Sequence, residues 1–209
     1  IDLAFYKSIG LQSKAFVLPF GVDVKGNEDT PNRSEKLVIG FLGSMDWIPN
    51  QEGVRWFVEE IWPKIDKAKV VCKIAGKHMP QDLINKSDGD LIIEGEIKSA
   101  TNFFQSLQLA IVPLRSGSGV RIKVLESMAL GVPVLATTIG FEGIEAVANE
   151  SIFKANKAED FANKVNELAN NRSQLGYVAA NAASLIKNKY GKISAAQVLI
   201  NAIENFKKA

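Results

Sequence analysis

Short apolar runs alternate along this chain with segments whose hydrophobic residues recur at helical spacing. Runs of about four to eight apolar residues are typical of buried strands, and apolar residues three and four positions apart are typical of amphipathic helices. The runs predict strands at Lys36–Ser44, Lys69–Ala75, Asp90–Glu94, Leu109–Pro113, Pro133–Thr137 and Ser151–Phe153. Helices are predicted between them over 51–67, 80–86, 101–107, 120–130 and 157–170, with one or two more over 173–208.

Strand and helix alternate from Lys36 to Asn170. This order predicts an α/β fold with a doubly wound, Rossmann-like parallel sheet of about five or six strands and helices on both faces. Ligands of such sheets bind outside the carboxyl ends of the strands. The candidate binding loops are therefore the glycine-bearing segments that follow the predicted strands: 43–50, 76–80, 95–99, 115–119 and 137–143.

The polarity of the chain divides it into three predicted parts. Residues 1–35 hold a helix or loop, a short strand at Val17–Asp23 and a polar linker, and we expect them to be the remnant of a preceding domain. Residues 36–172 form the predicted Rossmann-like domain. Residues 173–209 are predicted to be helices that pack on it. The chain begins without methionine, which indicates a piece of a longer protein.

The composition argues against several kinds of partner. A formal net charge of +2, without basic runs interleaved with aromatic residues, argues against nucleic acid. No apolar run approaches the roughly 20 residues that cross a bilayer. Cys72 is the only cysteine and lies in an apolar run, so we expect a buried thiol and a cytoplasmic protein. His78 is the only histidine, and without a cluster of His, Cys and carboxylate residues no metal site is predicted.

The segment Leu109–Glu145 carries the strongest functional signal. It is predicted to form a strand, a glycine–serine turn at Ser116–Gly119, a helix and a second strand. The helix begins with Arg121 and Lys123, although cations at the positive end of a helix dipole lower stability unless an anion lies among them. A glycine turn that leads into free helix amides is where phosphates bind. We therefore predict a phosphate site at this turn; the alternative for the two cations is a solvated helix surface.

Two further charged residues are candidates for the same site. Glu126 lies three residues after Lys123, on the same helix face. It either forms a surface salt bridge with Lys123 or accepts hydrogen bonds from ribose hydroxyls, as an acid does in dinucleotide-binding folds. Lys77 follows the predicted strand 69–75 and is either a surface lysine or a cation that reaches the same phosphates.

Catalytic groups of the usual kinds are not evident in the sequence. No serine or cysteine triad can be assembled, and no two carboxylates are paired as acid and base. The three tryptophans are expected in the core or at an interface: Trp47, Trp56 and Trp62. The sequence motifs therefore predict ligand binding more directly than they predict a reaction.

Four segments follow one another in the sequence: FLGSMDWIPNQEGVRWF, KIAGK, IEGEI and VPLRSGSGVRIKVLESMALGVPVLATTIGFEGI. Together they resemble the C-terminal, donor-binding domain of GT-B-fold glycosyltransferases of the family-four kind, the glycosyltransferases group 1. The earlier segment VLPFGVD resembles the connection from the N-terminal domain of that fold. The resemblance runs from Val17 to the end of the chain, and its most specific part is Pro113–Gly143.

The resemblance implies that the chain is the C-terminal half of a GT-B fold from a hexosyltransferase-type enzyme. Its co-substrate would be a nucleotide-diphosphate sugar, without a bound cofactor or metal. A carbohydrate or lipid-linked acceptor would be held by an N-terminal domain outside this chain. We expect the chain alone to be inactive, because holding both reactants in geometry can contribute about 7–11 kcal/mol to lowering the barrier. The full-length protein is expected in the cytoplasm, with a peripheral position at a membrane as one possibility.

The resemblance also implies donor-binding roles for nine residues: Gly43, Ser44, Ile97, Ser118, Gly119, Val120, Arg121, Lys123 and Glu126. Gly43 and Ser44 would face the donor across the cleft, and the main chain at Ile97 would meet the nucleobase. Glu126 would hold the ribose hydroxyls. The remaining five residues would contact the diphosphate, three of them through backbone amides.

Two departures from the family pattern bear on these roles. Ser118 stands where the motif has its first glutamate, which leaves the sugar and the stereochemistry of transfer unassigned. Residues 45–50 lack the basic pair that the family has after its first loop, and Arg121 and Lys123 would supply that charge instead.

Two other functions share these sequence features. One is a nucleotide-sugar epimerase of the GT-B fold, and the other is a nucleotide-binding domain without catalysis. A dehydrogenase is disfavoured, because GSGVR lacks the G-x-G-x-x-G spacing and no acid follows about 20 residues later on a second strand.

Overall fold

A six-stranded parallel sheet forms the centre of the computed structural model, which describes residues 2–24 and 34–207. The strands are β1 (Leu37–Leu42), β2 (Val70–Ala75), β3 (Leu91–Ile93), β4 (Leu109–Val112), β5 (Val134–Ala136) and β6 (Phe153–Lys154). Their order across the sheet is β3-β2-β1-β4-β5-β6, and every neighbouring pair is parallel. This is the order of a doubly wound, Rossmann-like sheet, so the predicted fold class is confirmed.

Helices connect and flank the strands. They are α1 (Asp2–Ser8), α2 (Ile48–Trp56), α3 (Gln81–Ile84), α4 (Ala100–Gln105), α5 (Ile122–Ala129), α6 (Ala158–Asn170), α7 (Ser173–Leu185) and α8 (Lys192–Lys207). α2 continues through a π turn at Phe57–Ile61 and a 3₁₀ turn at Trp62–Lys64, so the helix predicted over 51–67 lies three residues earlier in the structure. α7 likewise continues through a π turn at Ile186–Tyr190.

The core is built on the central strands. Every residue of β4 and β5 is buried, as are the first five of β1. A parallel sheet that is covered on both faces has no solvent side, which explains why these strands are continuous apolar runs rather than alternating ones. Cys72 on β2 is fully buried, as predicted, and burial raises the pKa of its thiol well above the ordinary value. The rigid sheet fixes where the loops at its carboxyl end begin.

The prediction of a strand at Val17–Asp23 is wrong. This segment makes one parallel bridge, from Val22 to Gly191, and runs past the start of α8 with Val17 and Phe20 exposed. It does not join the sheet, because its hydrogen bonds go to the backbone around Gly191 and not to a strand. The linker predicted over 27–35 lies outside the described residues except for its last two positions.

Three smaller differences concern element boundaries and the end of the chain. β6 begins two residues later and ends one residue later than the strand predicted at 151–153, and α5 begins at residue 122 rather than 120. The helices predicted over 173–208 are present as α7 and α8, and α7 packs against α5 and α6. Among the described helices, none combines the length and hydropathy needed to cross a membrane.

Candidate donor-binding site

The site lies where β1 and β4 end. From β1 the chain continues to β2, toward one edge of the sheet, and from β4 it continues to β5, toward the opposite edge. The loops after β1 and β4 therefore diverge and leave a crevice between them. The exits of β1 and β2 touch: a Cβ atom on Gly76 would lie 1.8 Å from the carbonyl oxygen of Gly43. Glycine is therefore required at position 76, and the crevice has a floor without side chains at this point.

The glycine turn between β4 and α5 forms the opposite wall. Gly117 and Gly119 have φ angles of +102° and +86°, which glycine adopts without the clash that other residues meet. Within the described residues, no protein acceptor is recorded for the backbone amides of Ser118, Gly119 and Val120. Successive free amides at a helix start are an anion-binding arrangement, so the local structure agrees with the predicted phosphate site.

Arg121 occupies the N-cap position of α5 and is only 4% exposed. Its Nη1 donates hydrogen bonds to the carbonyl oxygens of Ser118 and Gly119, at 2.5 and 2.6 Å, and its guanidinium lies 5.0 Å from the ring centre of Trp47. The Nε and Nη2 donors are buried and have no partner in the described part of the chain. Burial lowers the pKa of Arg121. Because buried donors are rarely left unpaired, these two indicate a ligand with acceptor oxygens.

Lys123 reaches from α5 to the end of β1. Its Nζ donates to Oδ1 of Asn50 at 2.8 Å and lies 4.0 Å from the ring centre of Phe41. A Cβ atom on Gly43 would lie 2.6 Å from this Nζ, so the ammonium lies against the backbone of Gly43, which together with Gly76 forms the glycine floor of the crevice. Burial, together with the charge of Arg121, lowers the pKa of Lys123 to about 7.

Neither the buried Arg121 nor the half-buried Lys123 forms an ion pair with a carboxylate among the described residues, although the charge of Glu142 acts on Arg121 from a longer distance. In particular, the structure shows no salt bridge between Lys123 and Glu126, which was one reading of their spacing. An uncompensated buried charge costs several kcal/mol, roughly, in a folded protein. Two cations without a carboxylate partner, beside amides that have no recorded acceptor, therefore indicate a place where an anion binds.

Glu126 lies at a cavity that neither Arg121 nor Lys123 lines. It lines a cavity of about 280 Å³ together with Thr101, Phe104, Ile122 and the segment Phe20–Asp23. Desolvation raises the pKa of its carboxyl above the ordinary value. A carboxylate at the edge of a partly apolar cavity can accept hydroxyl hydrogen bonds from a ligand that also has an apolar ring.

The remaining predicted residues lie around the carboxyl end of the sheet. The Ser44 carbonyl oxygen accepts a hydrogen bond from Asn50, and Ile97 packs against the core at the exit of β3. Lys77 is exposed, and its Nζ lies 3.0 Å from Oε1 of Glu96. Its recorded side-chain partner thus lies at a neighbouring strand exit, and its contact with the phosphates stays a prediction.

Three residues of the site were not predicted from the sequence. Asn50 is buried and contacts Lys123, and Trp47, which is 37% exposed, covers Arg121 instead of filling the core. Asp46 holds the Nδ1 atom of His78 through a 2.6 Å contact. All three contacts join residues that are far apart in the sequence, and no local pattern signals them. In the ranges the structure describes, no three His, Cys, Asp or Glu side chains come together to hold a metal ion.

Comparison with known proteins identifies the family. A family model described as glycosyl transferases group 1 matches residues 36–171, which contain the glycine turn and both cations. An uncharacterised 44.6 kDa protein in the cps region of Klebsiella pneumoniae is 27% identical over 161 residues, which are 72% of this chain and 42% of that protein.

Solved structures with the same fold are more distant in sequence. Sucrose-phosphate synthase from Thermosynechococcus elongatus superposes with a TM-score of 0.78 at 15% identity, over 100% of this chain and 57% of its own. A mutant of S. aureus TarM, solved with UDP, superposes with a TM-score of 0.74 at 19% identity, over 95% of this chain and 41% of its own. The chain thus spans between 41% and 57% of the length of these three relatives. Since the family model covers more than half of it, the chain belongs to the group 1 glycosyltransferases.

Proposed function

We propose that this chain binds the nucleotide-diphosphate sugar that is the donor in glycosyl transfer. The observation that carries the proposal is a pair of cations, the buried Arg121 and the half-buried Lys123, at a turn whose three amides have no recorded acceptor among the described residues. A diphosphate would neutralise both charges and accept from the unpaired donors. When the glycosyl bond breaks, negative charge develops on the leaving diphosphate, and donors that are already oriented stabilise it.

The position of Glu126 supports a nucleoside rather than a diphosphate alone. Ile122, which lies between the two cations in the sequence, also lines this cavity, and the nucleoside of a ligand bound at the turn would extend toward it. The volume of about 280 Å³ is close to the lower limit, roughly 300 Å³, of pockets that hold small organic ligands. UDP is the natural first probe, because it is the nucleotide bound in the TarM structure.

We further propose that a domain outside this chain holds a carbohydrate or lipid-linked acceptor. Large apolar side chains are exposed along the first 24 residues and along α8, among them Phe16, Val17 and Phe206. Exposed apolar patches of this kind mark surfaces that another domain or protein covers. The greater length of the relatives leaves room for such a domain, whose presence would place a donor and an acceptor on either side of one cleft.

The proposal is tested by calorimetric titration of the chain with UDP, GDP and ADP. We expect one of them to bind with a dissociation constant below about 1 mM, equivalent to roughly 4 kcal/mol. If none binds, the donor-binding proposal fails. An epimerase of the same fold would also bind a nucleoside diphosphate, and turnover assays on a protein that includes the preceding domain separate the two reactions.

Glu126→Gln should weaken UDP binding more than it weakens binding of inorganic pyrophosphate. A carboxylate accepts two hydroxyl hydrogen bonds where the amide has one acceptor oxygen, and pyrophosphate has no ribose. We expect a loss of roughly 1 kcal/mol for UDP and almost none for pyrophosphate. Glu159→Gln, at an exposed carboxyl in the first turn of α6, is the matched control. Equal losses for both ligands would mean that Glu126 does not contact the ribose.

UDP binding should be the same in EDTA as in magnesium or manganese. The reason is that Arg121, Lys123 and the helix amides meet the charge of the diphosphate, a task that Mg²⁺ bound by carboxylates performs in other nucleotide sites. Titrations in each condition measure the affinity. Binding that disappears in EDTA and returns with magnesium would contradict the metal-free site.

A further inference from the structure

Asn50 is the polar residue that the proposed donor site leaves without a role. It lies in the first turn of α2, directly after Pro49, and is only 4% exposed. Its backbone amide donates to the Trp47 carbonyl oxygen at 2.9 Å, which fixes its position in the turn. Buried amides are normally kept in a protein only where both of their ends have partners.

Both ends of the Asn50 side chain are used, and by different parts of the site. Nδ2 donates to the carbonyl oxygen of Ser44, in the loop after β1, at 2.7 Å. Oδ1 accepts from Nζ of Lys123, on α5, at 2.8 Å. The side chain is also packed against the glycine floor, since a Cβ atom on Gly43 would lie 2.8 Å from Nδ2. Asn50 therefore connects the first loop to the cation of the phosphate-binding helix.

We propose that Asn50 is a positioning residue for donor binding, which holds the Lys123 ammonium against the loop after β1. The inference rests on the proposed function, because it assumes that Lys123 meets the diphosphate of the donor. Asn50 itself acts through Lys123 and not on the ligand.

The chemistry of an amide suits this task. A lysine side chain that is left free loses conformational entropy when a ligand orders it. A hydrogen bond from a neutral acceptor orders it beforehand without removing its charge. A carboxylate at the same place would pair with the ammonium and compete with phosphate oxygens.

Among the described residues, Asn50 is the recorded hydrogen-bond partner that orients the Lys123 ammonium. The ring of Phe41 lies on one side of the ammonium, and the Gly43 backbone lies on another. Arg121 is the charged group recorded as acting on Lys123; the other charged groups of α5 and of the β1 and β2 exits include Glu126, and Asp46 with His78, which contact each other. None of these four is recorded as a hydrogen-bond partner of Lys123 among the described residues.

The test is a double-mutant cycle measured by calorimetry with UDP and with pyrophosphate as probes. Asn50→Leu should lower the affinity for both ligands roughly 3- to 10-fold. It should have no further effect on either affinity when Lys123 is already methionine. Gln51→Leu is the matched control, because Gln51 also donates to the first loop, at the Met45 carbonyl oxygen, without touching Lys123. It should leave both affinities unchanged.

Independent effects of Asn50→Leu and Lys123→Met would overturn the inference, and so would an equal loss in Gln51→Leu. The failure of the proposed function looks different: the unmodified chain would then bind neither UDP nor pyrophosphate. Circular dichroism and the unfolding midpoint check that each variant is folded.

Asn50→Asp gives a second readout in case Asn50→Leu does not fold. The aspartate keeps an acceptor for Lys123 and adds a negative charge, which should hold the ammonium protonated at pH 8 to 9. We expect UDP affinity that is lower than in the unmodified chain at pH 6.5 but that changes less between pH 7 and 9. An unchanged pH profile in Asn50→Asp would show that Asn50 does not control Lys123.

Discussion

Replacing Lys123 with methionine should weaken UDP binding roughly 10- to 150-fold at pH 6.5, because each charged hydrogen bond contributes about 1.5–3 kcal/mol. Methionine keeps most of the volume of the side chain and removes only the ammonium. The effect should be large because the lost charge is desolvated, with an aromatic ring on one side and the glycine floor on the other. Lys86→Met, at an exposed lysine far along the chain from the glycine turn, is the control and should bind UDP normally.

The same residue should make UDP binding depend on pH. The pKa of Lys123 is lowered to about 7 in the free protein, and a bound diphosphate raises it again because the charged form gains a partner. Below pH 7 the lysine is already protonated and the ligand binds without proton uptake. Above pH 7 a proton must be taken up on binding, so the affinity should fall as the pH rises from 7 to 9.

Calorimetry in two buffers of different ionisation enthalpy measures this proton uptake directly. Phosphate monoesters lose their second proton near pH 6, roughly, so the range above pH 7 reports on the lysine and not on the ligand. Lys123→Met should remove both the proton uptake and the dependence of UDP affinity on pH. If UDP affinity still falls with pH in Lys123→Met, another group is responsible for the titration. The argument that a desolvated lysine lies in the site would then fail.

Gly76→Ala should lower the free energy of unfolding by about 3 kcal/mol or more, at the upper end of what overpacking a protein interior costs. The added Cβ atom would lie 1.8 Å from the Gly43 carbonyl oxygen and 2.7 Å from its carbonyl carbon. Neither backbone can move away easily, because the Gly43 amide is bonded to the Ala75 oxygen and the Gly76 amide to the Gly95 oxygen, each at 3.0 Å. Any movement of Gly43 would also displace the ammonium of Lys123.

Gly95→Ala is the matched control for this prediction. Gly95 follows β3 at the same edge of the sheet, and a Cβ atom there would have nothing within 4 Å. Urea unfolding of both variants should show a large shift for Gly76→Ala and almost none for Gly95→Ala. Similar shifts for the two variants would mean that the close approach of the β1 and β2 exits is not tight in solution.

The sheet and most helices follow from the local pattern of the sequence. Strands that are buried on both faces must be apolar at every position, and this requirement produced the runs at Leu37–Leu42 and Leu109–Val112. Cations at the start of a helix are repelled by the positive end of the helix dipole, so Arg121 and Lys123 after a glycine turn indicated a bound anion from the sequence alone. The exception was Val17–Asp23, whose apolar residues serve a surface and not a strand.

The arrangement of the site was decided by the tertiary structure. Lys123 and Asn50 are 73 positions apart, and they meet only because α2 and α5 pack beside the same strand exit. Trp47 covers Arg121 for the same reason, whereas Lys77 pairs with Glu96 because the exits of β2 and β3 are neighbours. Periodicity reports which face of an element is buried, but a contact between elements depends on their crossing and register. The sequence by itself therefore determined the fold and predicted an anionic ligand, and the packing of the helices on the sheet determined which side chains hold the two cations in place.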